Sequence, residues 1–281
     1  MSDVGEGVSH GGEGGDVSIH RPAVKICGLT RVEDVRLAVS LGPWAVGMVL
    51  APSPRRVTLE QARELAAVAR ATAQGGPWPA PLVVGVFAEV TAEEVASVAA
   101  AVGLDAVQLH GRQSPAIGVV RTALAKEWQE RRAPGAPSGG LGAPSHRPPF
   151  SAPPLIIRAL PVPVGEAQAG ELAQAAAAVR EQGADFILFD TLARTGAQAQ
   201  FGGTGTAFAW QAVREAARSG AVLIAGGIGP GNVVEALRQS GAWGVDVSSG
   251  VEFAPGRKDH ALMRALFERA RAVPGFATRE V

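Results

Sequence analysis

Residues 221–252 read AVLIAGGIGPGNVVEALRQSGAWGVDVSSGVE and contain the pattern that decides the fold. A short apolar run at 221–225 is followed by a glycine-rich turn, a segment with helical spacing that starts near Asn232, and a second apolar run at 245–247. A strand, a helix and another strand in this order predict a βαβ unit, whose two strands are parallel.

The same alternation continues along most of the chain. Short apolar or β-branched runs predict eight strands, at residues 24–29, 44–50, 82–88, 106–110, 155–160, 185–190, 221–225 and 245–247. Helical spacing and the N-cap candidates Thr30, Thr58 and Thr91 predict helices between them. Eight such units predict a single-domain α/β protein, a (β/α)8 TIM barrel at residues 23–273. The alternative is an open doubly wound sheet, but its glycine fingerprint belongs in the first βα turn, and the glycine-rich turns come late here.

Three segments lie outside the predicted barrel units. We expect residues 1–22 to be a flexible leader and residues 274–281 a C-terminal tail. Segment 131–154 is rich in proline and glycine, and such a composition buries too little apolar surface to offset the entropy of ordering it. Because it joins a helix to a strand, we expect a mobile insertion on the barrel face opposite the chemistry, not a lid.

The composition excludes several classes of protein. The 281 residues include 26 basic and 26 acidic side chains and are 47% hydrophobic, which is typical of a folded soluble chain. A net charge of zero makes nucleic acid an unexpected partner. No apolar run could span a bilayer, and the first 20 residues lack the features of a signal or transit peptide, so we expect a cytoplasmic protein. The single cysteine, Cys27, excludes an internal disulfide and a cysteine-rich zinc site.

Polar side chains collect at the carboxyl ends of the predicted strands. Because side chains alternate along a strand, the polar residues that share an inward face are Lys25, Cys27, Gln108, His110, Asp190, Asp246 and Ser248. The inward positions of a TIM barrel are mainly apolar, and its active site lies at the carboxyl ends of the strands. This pattern therefore predicts an active site.

Three late turns are rich in glycine, at residues 202–205, 226–229 and 248–250. Such turns expose backbone N–H groups, and the last two follow the seventh and eighth predicted strands, where TIM barrels commonly bind phosphate. The predicted phosphate-binding residues are Gly203, Gly205, Gly226, Gly227, Ser248, Ser249 and Gly250.

These motifs resemble those of the phosphoribosylanthranilate isomerases of tryptophan biosynthesis. The matching stretches are VKICGL (24–29), DAVQLHG (105–111), LFDT (188–191), GGTG (202–205), GGI (226–228) and GVDVSSGVE (244–252). The resemblance implies a (β/α)8 barrel that catalyses the Amadori rearrangement of N-(5-phosphoribosyl)anthranilate to 1-(2-carboxyphenylamino)-1-deoxyribulose 5-phosphate. It implies acid–base catalysis without a metal or an organic cofactor. Ala209 departs from the family pattern, in which an aspartate usually precedes the tryptophan.

The resemblance also implies roles for individual residues. Cys27 matches the general base of the family, Asp190 its general acid, and Arg55 the arginine that anchors the anthranilate carboxylate. The neighbouring Arg56 leaves the last assignment open. Further substrate-binding candidates are Lys25, Gln108, His110 and Asp246, although His110 is equally compatible with a structural hydrogen bond.

The chemistry sets requirements on the two catalytic candidates. A carboxylic acid donates a proton near neutrality only if its pKa is raised, and we expect a water-poor barrel mouth to raise that of Asp190. A thiolate base calls for a pKa of Cys27 below the free value of about 8.5, and Lys25 is the expected source of that shift. Since the first and eighth strands adjoin in a closed barrel, Asp246 is expected to pair with Lys25.

Two alternative functions remain at this point. The aminoaldose isomerase of histidine biosynthesis performs the same rearrangement on a similar barrel but uses two aspartates, and Cys27 argues against it. The other alternative is a barrel that binds a sugar phosphate without catalysis.

We expect the partner to be a small phosphorylated aminosugar and the protein to be a monomer or a homodimer.

Overall fold

The computed structural model describes residues 22–111, 113–132, 152–163, 169–193, 200–201 and 210–273. The predicted leader up to residue 21, most of the insertion and the predicted tail lie outside these residues. So do two predicted phosphate-binding residues, Gly203 and Gly205.

Eight parallel strands form a closed barrel. They are β1 (Ala23–Ile26), β2 (Ala45–Val49), β3 (Leu82–Phe87), β4 (Ala106–Leu109), β5 (Leu155–Pro163), β6 (Phe186–Ala193), β8 (Val222–Ile224) and β9 (Gly244–Val247). Hydrogen bonding follows the order β5-β4-β3-β2-β1-β9-β8-β6, and the pairing of β5 with β6 closes the ring. Every predicted strand overlaps an observed one, and the predicted (β/α)8 fold is confirmed.

Helices alternate with the barrel strands. They are α1 (Val32–Ser40), α2 (Leu59–Gln74), α3 (Ala92–Val102), α4 (Ile117–Arg132), α5 (Ala169–Glu181), α6 (Arg214–Arg218), α7 (Val233–Ser240) and α8 (His260–Arg271). None of these helices is long and apolar enough to cross a membrane. Thr58 and Thr91 are the N-caps of α2 and α3, as predicted, and each forms a capping box. The prediction that Thr30 caps α1 was wrong. Arg31 is the N-cap of α1, and the Thr30 hydroxyl donates to the carbonyl oxygen of Gly256.

Three short strands were not predicted. Strand β7 (Gln200–Phe201) pairs antiparallel with β6, and β10 (Glu252–Ala254) forms a hairpin with β11 (Arg257–Lys258) between β9 and α8. Strands of two or three residues are too short to show a period. The turn of this hairpin contains Pro255 and Gly256, a dipeptide that is typical of turns, and Gly256 has a φ of 76°.

The inside of the barrel changes from apolar to polar along the strands. Its apolar part consists of Ala45, Val84, Ala106, Ile157, Ala159, Phe186, Leu188, Leu223 and Ala225. At the amino end Trp44 packs against Phe186 and Trp243, with ring centroids 4.9 and 5.0 Å away. The buried polar side chains of Lys25, Gln108 and Asp246 lie on the interior face of their strands. Apolar packing therefore closes the amino end and leaves the polar groups to the carboxyl end.

Leu223→Ala removes a fully buried side chain from the barrel interior and should destabilise the protein by about 2 to 5 kcal/mol. The matched control is Leu262→Ala on α8, where the leucine is exposed and the effect should stay within about 0.5 kcal/mol. Urea unfolding followed by circular dichroism measures both. Equal losses would contradict the packing of the interior described above.

Candidate active site

A buried ion pair joins the first and last barrel strands. The Lys25 ammonium donates to Asp246 Oδ2 at 2.8 Å, and the two residues are opposite each other in the β1–β9 register. Burial alone would lower the pKa of Lys25, but Asp246 and the Cys27 sulfur outweigh it, so that the pKa lies above its ordinary value. The predicted Lys25–Asp246 pair is confirmed, and the ammonium is held in its charged form.

Gly47 on β2 makes room for the Lys25 side chain beside Cys27. A Cβ atom at Gly47 would lie 3.0 Å from Cys27 Sγ and 3.1 Å from Lys25 Nζ. The sulfur and the ammonium therefore lie against the same glycine, as expected from their shared inward face. A side chain at position 47 would displace one of them.

The expected direction of the Cys27 pKa was wrong. The thiol is buried, and burial raises its pKa above the ordinary value because the thiolate loses its water. Lys25 opposes this rise, and the negative charge of Asp246 adds to it. Desolvation is the larger effect, so the ammonium offsets it only in part.

Asp190, on β6, has the elevated pKa that the sequence predicted. Burial raises the pKa of its carboxyl to about 7, and the charge of Asp246 adds to the rise. The backbone N–H of Thr191 and the Lys25 ammonium act in the opposite direction. Near neutrality Asp190 is therefore divided between an acid that can donate a proton and a carboxylate.

His110 and Gln108 extend the site along β4 and the residue that follows it. His110 Nε2 lies 3.9 Å from Asp190 Oδ2. Burial lowers the pKa of His110 to about 4, with further contributions from Lys25 and Arg158, so its imidazole is neutral at pH 7. Gln108 is almost fully buried. Both predicted substrate-binding residues thus lie in the polar end of the barrel.

Several polar atoms at this end lack a hydrogen-bond partner within the described part of the chain. They are Gln108 Oε1, Asp190 Oδ1, Asp246 Oδ1 and Ser248 Oγ. Buried polar atoms are nearly always hydrogen-bonded in native proteins, because desolvation without a bond is costly. These atoms are suited to a polar ligand that enters the barrel mouth.

Arg55 lies in the connection between β2 and α2, beside the catalytic candidates. A Cβ atom at Gly28 would be 2.6 Å from Arg55 Cδ, so the arginine passes directly over the residue that follows Cys27. Gly28 has a φ of 71°, which also favours glycine. Arg56 is exposed. Arg55 is therefore the arginine at the site.

Sequence reasoning missed two residues that contact Arg55 or its surroundings. Glu252, the first residue of β10, accepts hydrogen bonds from Arg55 Nε at 2.9 Å and from Arg55 Nη2 at 2.7 Å. Lys258 Nζ donates to Glu252 Oε1 at 2.9 Å and to the carbonyl oxygens of Cys27 and Ser248 at 2.6 and 3.1 Å. Glu252 belongs to a motif of the resemblance, but nothing in the sequence alone pairs Glu252 or Lys258 with Arg55.

The turns after β8 and β9 pack backbone against backbone. A Cβ atom at Gly250 would lie 1.9 Å from the carbonyl oxygen of Ile228, and Gly226 and Gly227 have φ values of 86° and 66°. Asn232 braces the first turn, because its amide donates to Gly227 O and its Oδ1 accepts from Gly229 N. The five predicted phosphate residues in the described chain are thus brought together: Gly226, Gly227, Ser248, Ser249 and Gly250.

A sequence model of one protein family matches this chain. The family is described as N-(5'phosphoribosyl)anthranilate (PRA) isomerase, and the match covers residues 24–129 and 155–269. The interval between the two matched ranges, residues 130–154, consists of Glu130 and the proline- and glycine-rich insertion. The match contains the residues of the site described above.

Individual relatives agree with the family model. The N-(5'-phosphoribosyl)anthranilate isomerase of Rubrobacter xylanophilus is 35% identical over 251 residues, which is 89% of this chain and 98% of the relative. The isomerase structure from Thermotoga maritima has a TM-score of 0.63 and 31% identity, and the match covers 89% of this chain and 98% of that one. A phosphoribosyl anthranilate isomerase in complex with reduced 1-(o-carboxyphenylamino)-1-deoxyribulose 5-phosphate has a TM-score of 0.62 and 30% identity, with the same coverage. The chain belongs to the phosphoribosylanthranilate isomerase family.

Proposed function

We propose that Cys27 is the base and Asp190 the acid with which this isomerase rearranges N-(5-phosphoribosyl)anthranilate in tryptophan biosynthesis. One observation carries the proposal. A buried thiol and a carboxyl group with a pKa of about 7 lie at the same end of the barrel, and the pKa of each is influenced by the Lys25–Asp246 pair. Such perturbed pairs are typical of acid–base sites.

Ring opening is the step assigned to Asp190. Its protonated carboxyl donates a proton to the furanose ring oxygen, the bond from that oxygen to C1′ breaks, and the nitrogen lone pair forms the C1′=N bond of a Schiff base. His110 lies beside Asp190 as a neutral imidazole. A positive charge at this place would favour loss of the Asp190 proton before ring opening, and the neutral ring does not supply one.

Proton removal from C2′ is the step assigned to Cys27. The thiolate takes the proton, the C2′–H electrons form the C1′=C2′ bond, and the C1′=N electrons return to nitrogen. The resulting enol tautomerises to the ketone of the product. A raised pKa makes the thiolate a stronger base but lowers the fraction that is ionised, and Lys25 limits that loss.

Substrate binding is assigned to the two edges of the site. Arg55 would bind the anthranilate carboxylate, and its position next to Gly28 supports this role. The turns after β8 and β9, together with Gly203 and Gly205, would bind the phosphate through backbone N–H groups. Gln108 and Asp246 would form hydrogen bonds with the sugar through their buried oxygens.

A cytoplasmic location and a monomeric or homodimeric state stay predictions.

Cys27→Ser and Asp190→Asn should each lower kcat by about 10²- to 10⁴-fold and change KM little, because each removes one proton transfer. The fluorescence of phosphoribosylanthranilate follows its consumption. Glu93→Gln on the exposed surface of α3 removes a carboxylate outside the site and should leave the rate unchanged. Wild-type turnover in both site variants would contradict the assigned roles.

The pH profile of kcat/KM should change slope near pH 7. Below that pH, kcat/KM should rise because the fraction of Cys27 thiolate increases tenfold per pH unit. Above it, the loss of the Asp190 proton cancels that gain, since its pKa is about 7, and the profile should level off. In Asp190→Asn the remaining activity should keep rising through pH 7. The same change of slope in both proteins would contradict the assignment of Asp190.

A further inference from the structure

Arg55, Glu252 and Lys258 form a charged cluster that the two proton transfers do not use. The Glu252 carboxylate is 4% exposed and accepts hydrogen bonds from Arg55, Lys258 and the backbone N–H of Gly256. Burial opposes ionisation of Glu252, yet the two cations outweigh it and hold its pKa below the ordinary value. The cluster therefore contains two positive charges and one negative charge.

The hydrogen bonds determine which part of Arg55 can bind another anion. A guanidinium has five N–H donors, and Glu252 engages Nε and Nη2 along one side. The end-on edge, formed by Nη1 and the second N–H of Nη2, is not used by Glu252. That edge can bind a carboxylate with two parallel hydrogen bonds. Glu252 thus determines the orientation of the bidentate donor edge of Arg55.

Lys258 determines the net charge of the cluster. Its side chain is fully buried, and its three donors bind Glu252 and the carbonyl oxygens of Cys27 and Ser248. The ammonium therefore compensates the Glu252 carboxylate, and the charge of Arg55 remains available for a ligand. Without this compensation, Glu252 would compete with a substrate carboxylate for the same guanidinium.

We propose that Glu252 is a positioning residue that makes the site selective for a substrate with a carboxylate on its aromatic ring. It acts through Arg55, whose end-on edge it directs toward the ligand, while Lys258 neutralises its charge. The inference rests on the proposed function in one respect, the binding of the anthranilate carboxylate by Arg55.

The test compares two ligands that differ only in the carboxylate. The probes are reduced 1-(o-carboxyphenylamino)-1-deoxyribulose 5-phosphate and the same compound without the carboxyl group, and calorimetry gives the two Kd values for each protein. The wild type should prefer the carboxylated ligand by at least about tenfold, as expected for a charge-assisted bidentate pair. In Glu252→Gln, whose amide N–H₂ turns donors toward Arg55, the preference should fall by about tenfold.

Arg55→Met and the double variant separate the inference from the proposed function. If Arg55 binds the carboxylate, the preference should nearly vanish in Arg55→Met, and adding Glu252→Gln should change it no further. A preference that survives in Arg55→Met overturns the assigned role of Arg55. If Arg55 is shown to bind the carboxylate, an unchanged or increased preference in Glu252→Gln overturns the inference. Glu252 would then have no effect on selectivity or would compete with the ligand for the guanidinium.

A folding defect can be distinguished from a loss of orientation. Thermal unfolding shows whether Glu252→Gln is folded, and Glu252→Asp serves if it is not. The aspartate keeps the charge but withdraws the carboxylate by one methylene, so the preference should fall in the same direction and by less. The affinity for the ligand without the carboxyl group should stay near that of the wild type in any folded variant. A preference in Glu252→Asp equal to that of the wild type would contradict the inference.

Discussion

The ion pair between Lys25 and Asp246 is the interaction on which the rest of the site depends. Its two members face each other because β1 and β9 pair in this register, and a shift by one residue would turn one of them out of the barrel. Loss of one partner from a buried pair typically costs about 3 to 5 kcal/mol, because the other charge is left without compensation. Closure of the barrel therefore brings the pair together, and each partner makes burial of the other tolerable.

The pair also acts on the two proton-transfer groups, whose neutral forms are favoured mainly by burial. Both groups are buried, and burial disfavours thiolate and carboxylate alike. Lys25 opposes the effect of burial at both groups, but desolvation is the larger effect, and the negative charge of Asp246 acts in the same direction as burial. The result favours a protonated Asp190, as ring opening requires, and makes the Cys27 thiolate a minor species and a stronger base.

The segment after β9 adds a second level of organisation. The β10–β11 hairpin brings Glu252 to Arg55 and Lys258 to the carbonyl oxygens of Cys27 and Ser248. The loop that follows the base, the turn proposed to bind phosphate and the arginine proposed to bind carboxylate are thereby joined by two buried side chains. This hairpin in the eighth βα unit therefore adds side chains to the site besides those at the strand ends.

The sequence by itself determined the barrel and most of the residues at its polar end. Strand and helix periods are local properties, and alternation along each strand assigned Lys25, Cys27, Asp190 and Asp246 to the inward face. Only the tertiary structure decided that the Cys27 pKa rises and that Arg55 pairs with Glu252, 197 positions later in the chain. The physical reason is that desolvation and Coulomb interactions depend on distances in space, which the local pattern of a sequence does not contain.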